Sequence, residues 1–247
     1  MTVPGERPRN QSLLASFRRR VNKARKNWFT SFLIDFVVIV GTALVLSVAI
    51  KAFLIRSFYI PSGSMLETLQ INDRIIVNVT APEVTPISRG DVVVFRDPGG
   101  WLGSVSQVEK EPIQEISDFV LGTFGITAPD SAEHLVKRVI GLPGDTVACC
   151  DADGKLTING QAITEPYIGA NAPSEIEFTV TVPEGHYWVM GDNRPNSTDS
   201  RYHQDLPTGG FVPISVVVGN AFVISWPFDN WTWLSNYPDT FSVVPNP

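Results

Sequence analysis

From Phe36 to Ile50 the chain reads FVVIVGTALVLSVAI, fifteen residues without a charge. Lys51 interrupts the run, and Ala52 to Ile55 continue it before Arg56. A helix over these 20 residues, at about 1.5 Å of rise each, would be about 30 Å long, the hydrocarbon thickness of a bilayer. Asp35 and Lys51 lie near its ends, where charged side chains reach headgroups. A buried core helix is usually shorter and lacks a one-sided basic flank. A cleavable signal peptide has an apolar region of about 7–15 residues ending at a small-residue cleavage site. Here the run is longer, and Arg56-Ser-Phe-Tyr follows it. The stretch reads as a retained transmembrane anchor.

The charge distribution agrees. Residues 1–31 hold eight basic side chains between Arg7 and Lys26 against one acid, Glu6, a net +7. The whole chain sums to −6, so the remainder carries −13. A basic tail by itself points to nucleic acid. In front of a membrane span it is a topology and lipid-headgroup signal, which leaves no nucleic-acid partner to expect. The expected organisation is a cytoplasmic tail (1–31), an anchor (32–56) and an extracytoplasmic domain (57–247) of a single-pass plasma-membrane protein.

Beyond residue 57 the pattern changes to short strands. Arg74–Val79, Asp91–Phe95, Val136–Ile140, Lys155–Asn159, Ile176–Val182, Tyr187–Met190 and Ser215–Ser225 are rich in β-branched and aromatic residues. Gly, Pro, Asn and Asp separate them, with hairpin-type turns at Asp153-Gly154 and Asn159-Gly160. The fold class is mainly β: a single transmembrane helix followed by an antiparallel sheet or barrel. Residues 97–133 break the rhythm with Gly, Pro, Ser and acids around a short helix, 113–121. They read as an insertion between core strands, a surface excursion or a lid.

Three segments carry the chemistry. The first, Phe58-Tyr-Ile-Pro-Ser-Gly-Ser64-Met-Leu-Glu-Thr-Leu69, follows the anchor, and Gly63 permits a tight path before Ser64. The second is Leu135-Val-Lys137-Arg138-Val-Ile-Gly-Leu-Pro-Gly-Asp145. Strand alternation turns Lys137 and Arg138 to opposite faces, so one of them points to the side that strands normally bury. The third, Met190-Gly-Asp-Asn-Arg-Pro-Asn-Ser-Thr-Asp-Ser-Arg201, has the density of a hydrogen-bonded loop. Each segment alone is also compatible with a solvated turn, a snorkelling lysine or a polar loop.

Together, in this order behind an anchor and with Gly90-Asp91-Val-Val-Val-Phe95 between them, the segments resemble bacterial type I signal peptidase over most of residues 35–225. The resemblance implies a membrane-bound serine endopeptidase that removes signal peptides from secretory preproteins after a small-x-small sequence. It needs no cofactor and no metal. It makes Ser64 the nucleophile and Lys137 its general base. A serine hydroxyl needs a neighbouring base, and lysine titrates near 10.4 in water. Apolar neighbours such as Leu135, Val136 and Met65 would lower that value toward working pH. No carboxylate should therefore touch the Lys137 amine. By the same resemblance, the Ser62 hydroxyl and the Ser64 backbone N–H stabilise the oxyanion, Ser197 orients the lysine, and Asp199 with Arg201 braces the loop. Ile60, Met65, Leu69, Leu135 and Val136 match the pocket for the residue before the scissile bond. Phe58, Ile60, Ile75 and Val136 match the pocket two residues further back. The chain departs from the family pattern at Pro195, where Asp is usual, and at Glu67, where Pro is usual.

Other groups are given structural readings. His134, His186 and His203 lack a Gly-x-Ser-x-Gly elbow and read as core or surface histidines. Cys149 and Cys150 are adjacent, which excludes a disulfide-rich scaffold and leaves either thiols or a strained vicinal bond. Trp226-Pro-Phe228-Asp-Asn-Trp231-Thr-Trp233 fits core packing or rings at a bilayer surface. Two further readings stand beside the first: a Ser/Lys peptidase dedicated to self-cleavage or one partner, and a non-catalytic anchored binding module. Self-cleaving repressors share the Ser/Lys logic but carry a DNA-binding module where this chain has an anchor.

Overall fold

The computed structural model describes residues 28–103 and 134–245. The basic tail up to residue 27 and the 113–121 helix lie outside them. The chain divides into two compact units, residues 1–50 and 51–247.

Helix α1 runs Trp28–Phe53 over 26 residues. Its stretch Thr30–Val48 is long and apolar enough to cross a membrane. Phe36, Val37, Ile39, Leu44 and Val45 are all more than half exposed. A helix that is apolar all round without a protein core to cover it suits a lipid solvent. Within the span, Thr42 Oγ1 donates back to the Val38 carbonyl at 2.8 Å, the internal satisfaction that hydrocarbon demands. The helix ends earlier than expected. Ile55 and Arg56, assigned by hydropathy to the anchor, begin strand β1 (Ile55–Tyr59). They pair there with Asn78 and Val77, since a strand partner far along the chain overrides local hydropathy.

The second unit is mainly antiparallel β. One sheet has the order β1, β2 (Arg74–Asn78), β11 (Val217–Trp226), β3 (Val92–Arg96), β4 (His134–Gly141), β9 (His186–Met190) and β10 (Val212–Pro213), with β12 (Thr232–Trp233) also pairing β11. A second sheet orders β7 (Gln161–Ala162), β6 (Thr157–Ile158), β5 (Thr146–Cys149) and β8 (Phe178–Thr181). The Asn159-Gly160 turn closes the β6–β7 hairpin with φ of 52° and 77°, the left-handed pair that this dipeptide supplies. Gly219 lies at a register shift of β11, where a Cβ would come 2.0 Å from the Asn78 carbonyl oxygen; only glycine admits that approach. Cys149 and Cys150 are joined as a vicinal disulfide at the end of β5.

Apolar clusters lie against both faces of the large sheet. Val92 and Val94 pack with Phe58, Met65, Leu69 and Ile75. Val93 and Phe95 pack with Trp101, Val139 and Val189. A third cluster joins the smaller sheet to Trp188 and Met190 of β9. This double coverage is why β3 reads Val-Val-Val-Phe without alternation. It also leaves no solvent face for the two cations in the middle of the neighbouring strand β4.

Candidate active site

Ser64 lies in the loop between β1 and β2. That loop is a run of tight turns, with Leu66 N donating to the Gly63 carbonyl at 3.2 Å and Leu69 N to the Met65 carbonyl at 2.7 Å. Glu67 adopts φ 85°. A proline ring cannot take that angle, so the departure from the family pattern here goes with a different local path.

Lys137 sits in the middle of β4, pairing Val93 of β3, and is 3% exposed. Its Nζ donates to Ser64 Oγ at 2.7 Å and to the Val136 carbonyl at 3.1 Å. Among the described residues no carboxylate forms an ion pair with it. Burial draws the amine down from 10.5 to about 8, while the charges of Asp199 and Asp192 pull it up and Arg201 pulls it down. Both carboxylates are already engaged. Asp199 takes the Arg201 guanidinium at 2.9 Å on each oxygen, and its Oδ2 also accepts the Gly191 N–H at 2.9 Å. Asp192 takes Arg138 through Nε at 2.9 Å and a terminal nitrogen at 2.6 Å. Two fully buried ion pairs thus lie near the lysine, each giving its carboxylate an arginine partner. Removing either arginine would leave an uncompensated buried charge, at about 3–5 kcal/mol.

The loop after β9 holds the Ser64 loop in place. Asn193 donates its backbone N–H to the Ser64 carbonyl at 3.2 Å and its side-chain amide to the Gly63 carbonyl at 2.8 Å. Gly191 fits between them: a Cβ would lie 2.1 Å from Ser197 Oγ and 2.5 Å from the Ser64 carbonyl oxygen. Ser62 Oγ is 3.4 Å from Ser64 Oγ, on the same loop. Ser197 behaves differently from its expected role. It is buried, and its Oγ makes no hydrogen bond among the described residues, to Lys137 included.

Beside the Ser64–Lys137 contact lies a cavity of about 160 Å³. Of the expected pocket residues, Phe58, Ile60, Met65, Leu135 and Val136 line it. Leu69 and Ile75 do not. Both are fully buried in the cluster behind Phe58 and Met65, where they pack as core. The cavity also takes in His134 and Leu102. The His134 ring stands 5.2 Å from that of Phe58. His203 is a core histidine, and His186 Nδ1 lies 2.9 Å from the Glu184 carbonyl.

Sequence reasoning assigned no role to Arg138, Asp192, Asn193, Arg194 or Glu165. Alternation required one of Lys137 and Arg138 to be buried; both are, with Arg138 at 0%. Its guanidinium sits 4.2 Å from the Tyr167 ring centroid and donates to the Gly90 and Ser235 carbonyls at 2.6 and 3.1 Å. Arg194 forms a buried pair with Glu165, at 2.8 Å for one of its contacts, and its Nε holds the Gly191 carbonyl at 3.0 Å. Asp192 lies within the polar third segment, whose density marks a hydrogen-bonded loop. Nothing local signals Glu165, which reaches the loop from 29 residues away.

A family model described as "Signal peptidase, peptidase S26" matches residues 33–226. A probable signal peptidase I of Mycobacterium leprae is 35% identical over 229 residues, covering 81% of this chain and 78% of its own length. A signal peptidase I of Mycobacterium tuberculosis H37Rv is 37% identical over 222 residues, covering 81% and 75%. The crystal structure of a signal peptidase I from Enterococcus faecalis V583 is 29% identical, covers 54% of this chain and 95% of its own, and superposes with a TM-score of 0.35.

Proposed function

This chain belongs to the signal peptidase family, peptidase S26, and on that premise we propose that it cleaves secretory preproteins with a Ser64–Lys137 dyad. The observation that carries the reading is the 2.7 Å contact between Ser64 Oγ and a buried Lys137 amine that forms no ion pair with a carboxylate among the described residues. A non-catalytic binding module has no need of such a pair.

In the proposed cycle the neutral Lys137 amine accepts the Ser64 hydroxyl proton as Oγ attacks the scissile carbonyl carbon. The carbonyl electron pair moves to oxygen. The Ser62 hydroxyl and the Ser64 N–H donate to that oxyanion, and loss of one such donor costs about 2.7–4 kcal/mol of barrier. As the C–N bond breaks, the Lys137 ammonium returns the proton to the leaving amine. A water then gives a proton to Lys137 and attacks the ester carbon. As the C–Oγ bond breaks, the Lys137 ammonium returns that proton to Ser64 Oγ, which frees the signal peptide's carboxyl end and restores the neutral amine and the hydroxyl. Asp199 and Arg201 brace the loop that seats Ser64, and Ser197 lies beside Gly191 in that loop.

The substrate is a preprotein with a small-x-small sequence. The mostly apolar cavity of about 160 Å³ beside Ser64 is where side chains of such a sequence would sit. An extended peptide laid beside a strand would add main-chain hydrogen bonds. The lipid bilayer is the second partner. Helix α1 spans it, with the tail 1–31 cytoplasmic and 57–247 extracytoplasmic. The exposed rings Trp226, Phe228, Trp231 and Trp233 meet its surface.

Ser64→Ala and Lys137→Ala, each assayed on a preprotein in detergent, should both lose processing; full activity in either sinks the dyad. Cleavage of one partner with no action on other preproteins would favour a dedicated peptidase. Protease added to intact spheroplasts should digest the 57–247 domain, and protection would reverse the orientation.

A further inference from the structure

The segment Asp97-Pro-Gly-Gly-Trp-Leu-Gly103 follows β3 and opens the stretch that the sequence sets apart as an insertion. Its composition reads as a surface turn, yet its end folds inward. The Asp97 carboxylate accepts the backbone N–H groups of Gly99 at 2.9 Å, Trp101 at 2.9 Å and Leu102 at 3.1 Å. Burial pushes that carboxyl up, but the backbone donors outweigh it and hold it below its ordinary value. The turn is therefore tied to an ionised side chain.

Trp101 is driven into the core. It stands edge-on to Phe95 at 5.7 Å and lies flat on His203, centroids 4.3 Å apart and planes 3° from parallel. His203 Nδ1 is in turn 2.8 Å from the carbonyl of Asp199, whose carboxylate braces the loop beside Ser64. With Trp101 anchored and Asp97 holding both N–H groups, the position of Leu102 is fixed. Leu102 lines the cavity that also takes in Ile60, Met65, Val136 and the Ser64–Lys137 pair.

We infer that Leu102 is a specificity-determining residue, one wall of the cavity beside Ser64, which limits the size of the substrate side chain admitted there. The inference rests on the proposed reading of that cavity as the pocket for preprotein residues before the scissile bond. Leu102 lies in none of the three segments that carry the family resemblance. Shortening Leu102 removes carbon from the wall and makes room. Replacing it by phenylalanine adds a ring and takes room away.

The test uses the full chain in detergent and two peptide series. One series varies Ala, Val and Leu at the residue before the scissile bond, the other at the residue two positions further back. Leu102→Ala should raise kcat/KM for the Val and Leu peptides of at least one series, relative to its Ala peptide, by about tenfold or more. Leu102→Phe should move the same ratio the other way. The same peptides, labelled with a fluorophore, are titrated against Ser64→Ala protein with and without the residue-102 changes, which reads the wall without turnover. Ratios unchanged in both cleavage and binding, or moved in one direction by both substitutions, overturn the inference and leave the peptidase reading in place. No cleavage by the chain with Leu102 intact, with binding ratios that still follow residue 102, overturns the reading and keeps the wall. Neither cleavage nor binding overturns both.

Discussion

If Lys137 is the general base, raising pH should switch the enzyme on over a range set by its burial. Burial brings the amine from 10.5 to about 8, net of the opposing charges of Asp199 and Asp192. With a pKa near 8, the neutral fraction is about 1% at pH 6, about half at pH 8 and about 99% at pH 10. kcat/KM of the full chain on a signal-peptide substrate in detergent, which reports the free enzyme, should therefore climb about 50-fold from pH 6 to 8 and only about twofold more by pH 10. An ordinary lysine would still be rising about 70-fold between pH 8 and 10. A flat profile from pH 6 to 10 would refute a titrating base. A steep rise without a plateau at pH 10 would refute its desolvation. Stability shifts with the same group. The unfolded chain keeps this proton up to about 10.4, whereas the native amine gives it up above about 8, so the unfolded state binds more protons in between. The penalty of the buried cation, about 3 kcal/mol, is present in full below pH 8 and is relieved as pH rises toward 10.4.

Two more outcomes follow from the geometry. Gly191→Ala places a methyl group 2.1 Å from Ser197 Oγ and 2.5 Å from the Ser64 carbonyl oxygen, so the Ser64 loop and the loop packed against it must move apart. A displacement of about 1 Å costs about 100-fold, to be read as lost kcat with KM little changed, and a kcat equal to the unchanged chain would contradict the close fit. In vesicles of brominated lipid, tryptophan fluorescence of the full chain should be quenched more than that of a variant with Trp226, Trp231 and Trp233 all changed to Phe. Equal quenching would sink the bilayer contact of these rings.

Most of the site was legible through motif rather than pattern. Ser64, Lys137, Asp199 and Arg201 were reached because the three segments occur together, and Phe58, Ile60, Met65, Leu135 and Val136 came with them. Leu69 and Ile75 are apolar residues of the same neighbourhood, and no local signal separates a pocket wall from the core behind it. Leu102 was missed for the converse reason. It follows two glycines and a tryptophan in what reads as a loop, and only the Asp97 carboxylate and the Trp101–His203 stack turn it inward. Ser197 was assigned to Lys137, yet its hydroxyl stands beside Gly191 without a hydrogen bond among the described residues.

By itself the sequence determined what depends on contiguous residues: a helix long and apolar enough to cross a membrane, from an uncharged run behind a basic tail; the Asn159-Gly160 hairpin, from two residues that tolerate positive φ; and the β character of the rest. Only the tertiary structure decided the surroundings that draw the Lys137 amine below its ordinary value. Strand alternation gives one side chain of the Lys137–Arg138 pair to each face of the sheet, but whether a face is wet or dry depends on what packs there. Loops and strands from residues 58–75, 165–167 and 190–201 cover both faces. The two carboxylates that would otherwise hold the lysine charged are taken up by Arg138 and Arg201. Desolvation and charge cancellation are sums over neighbours distant in the chain, and no window of sequence contains them.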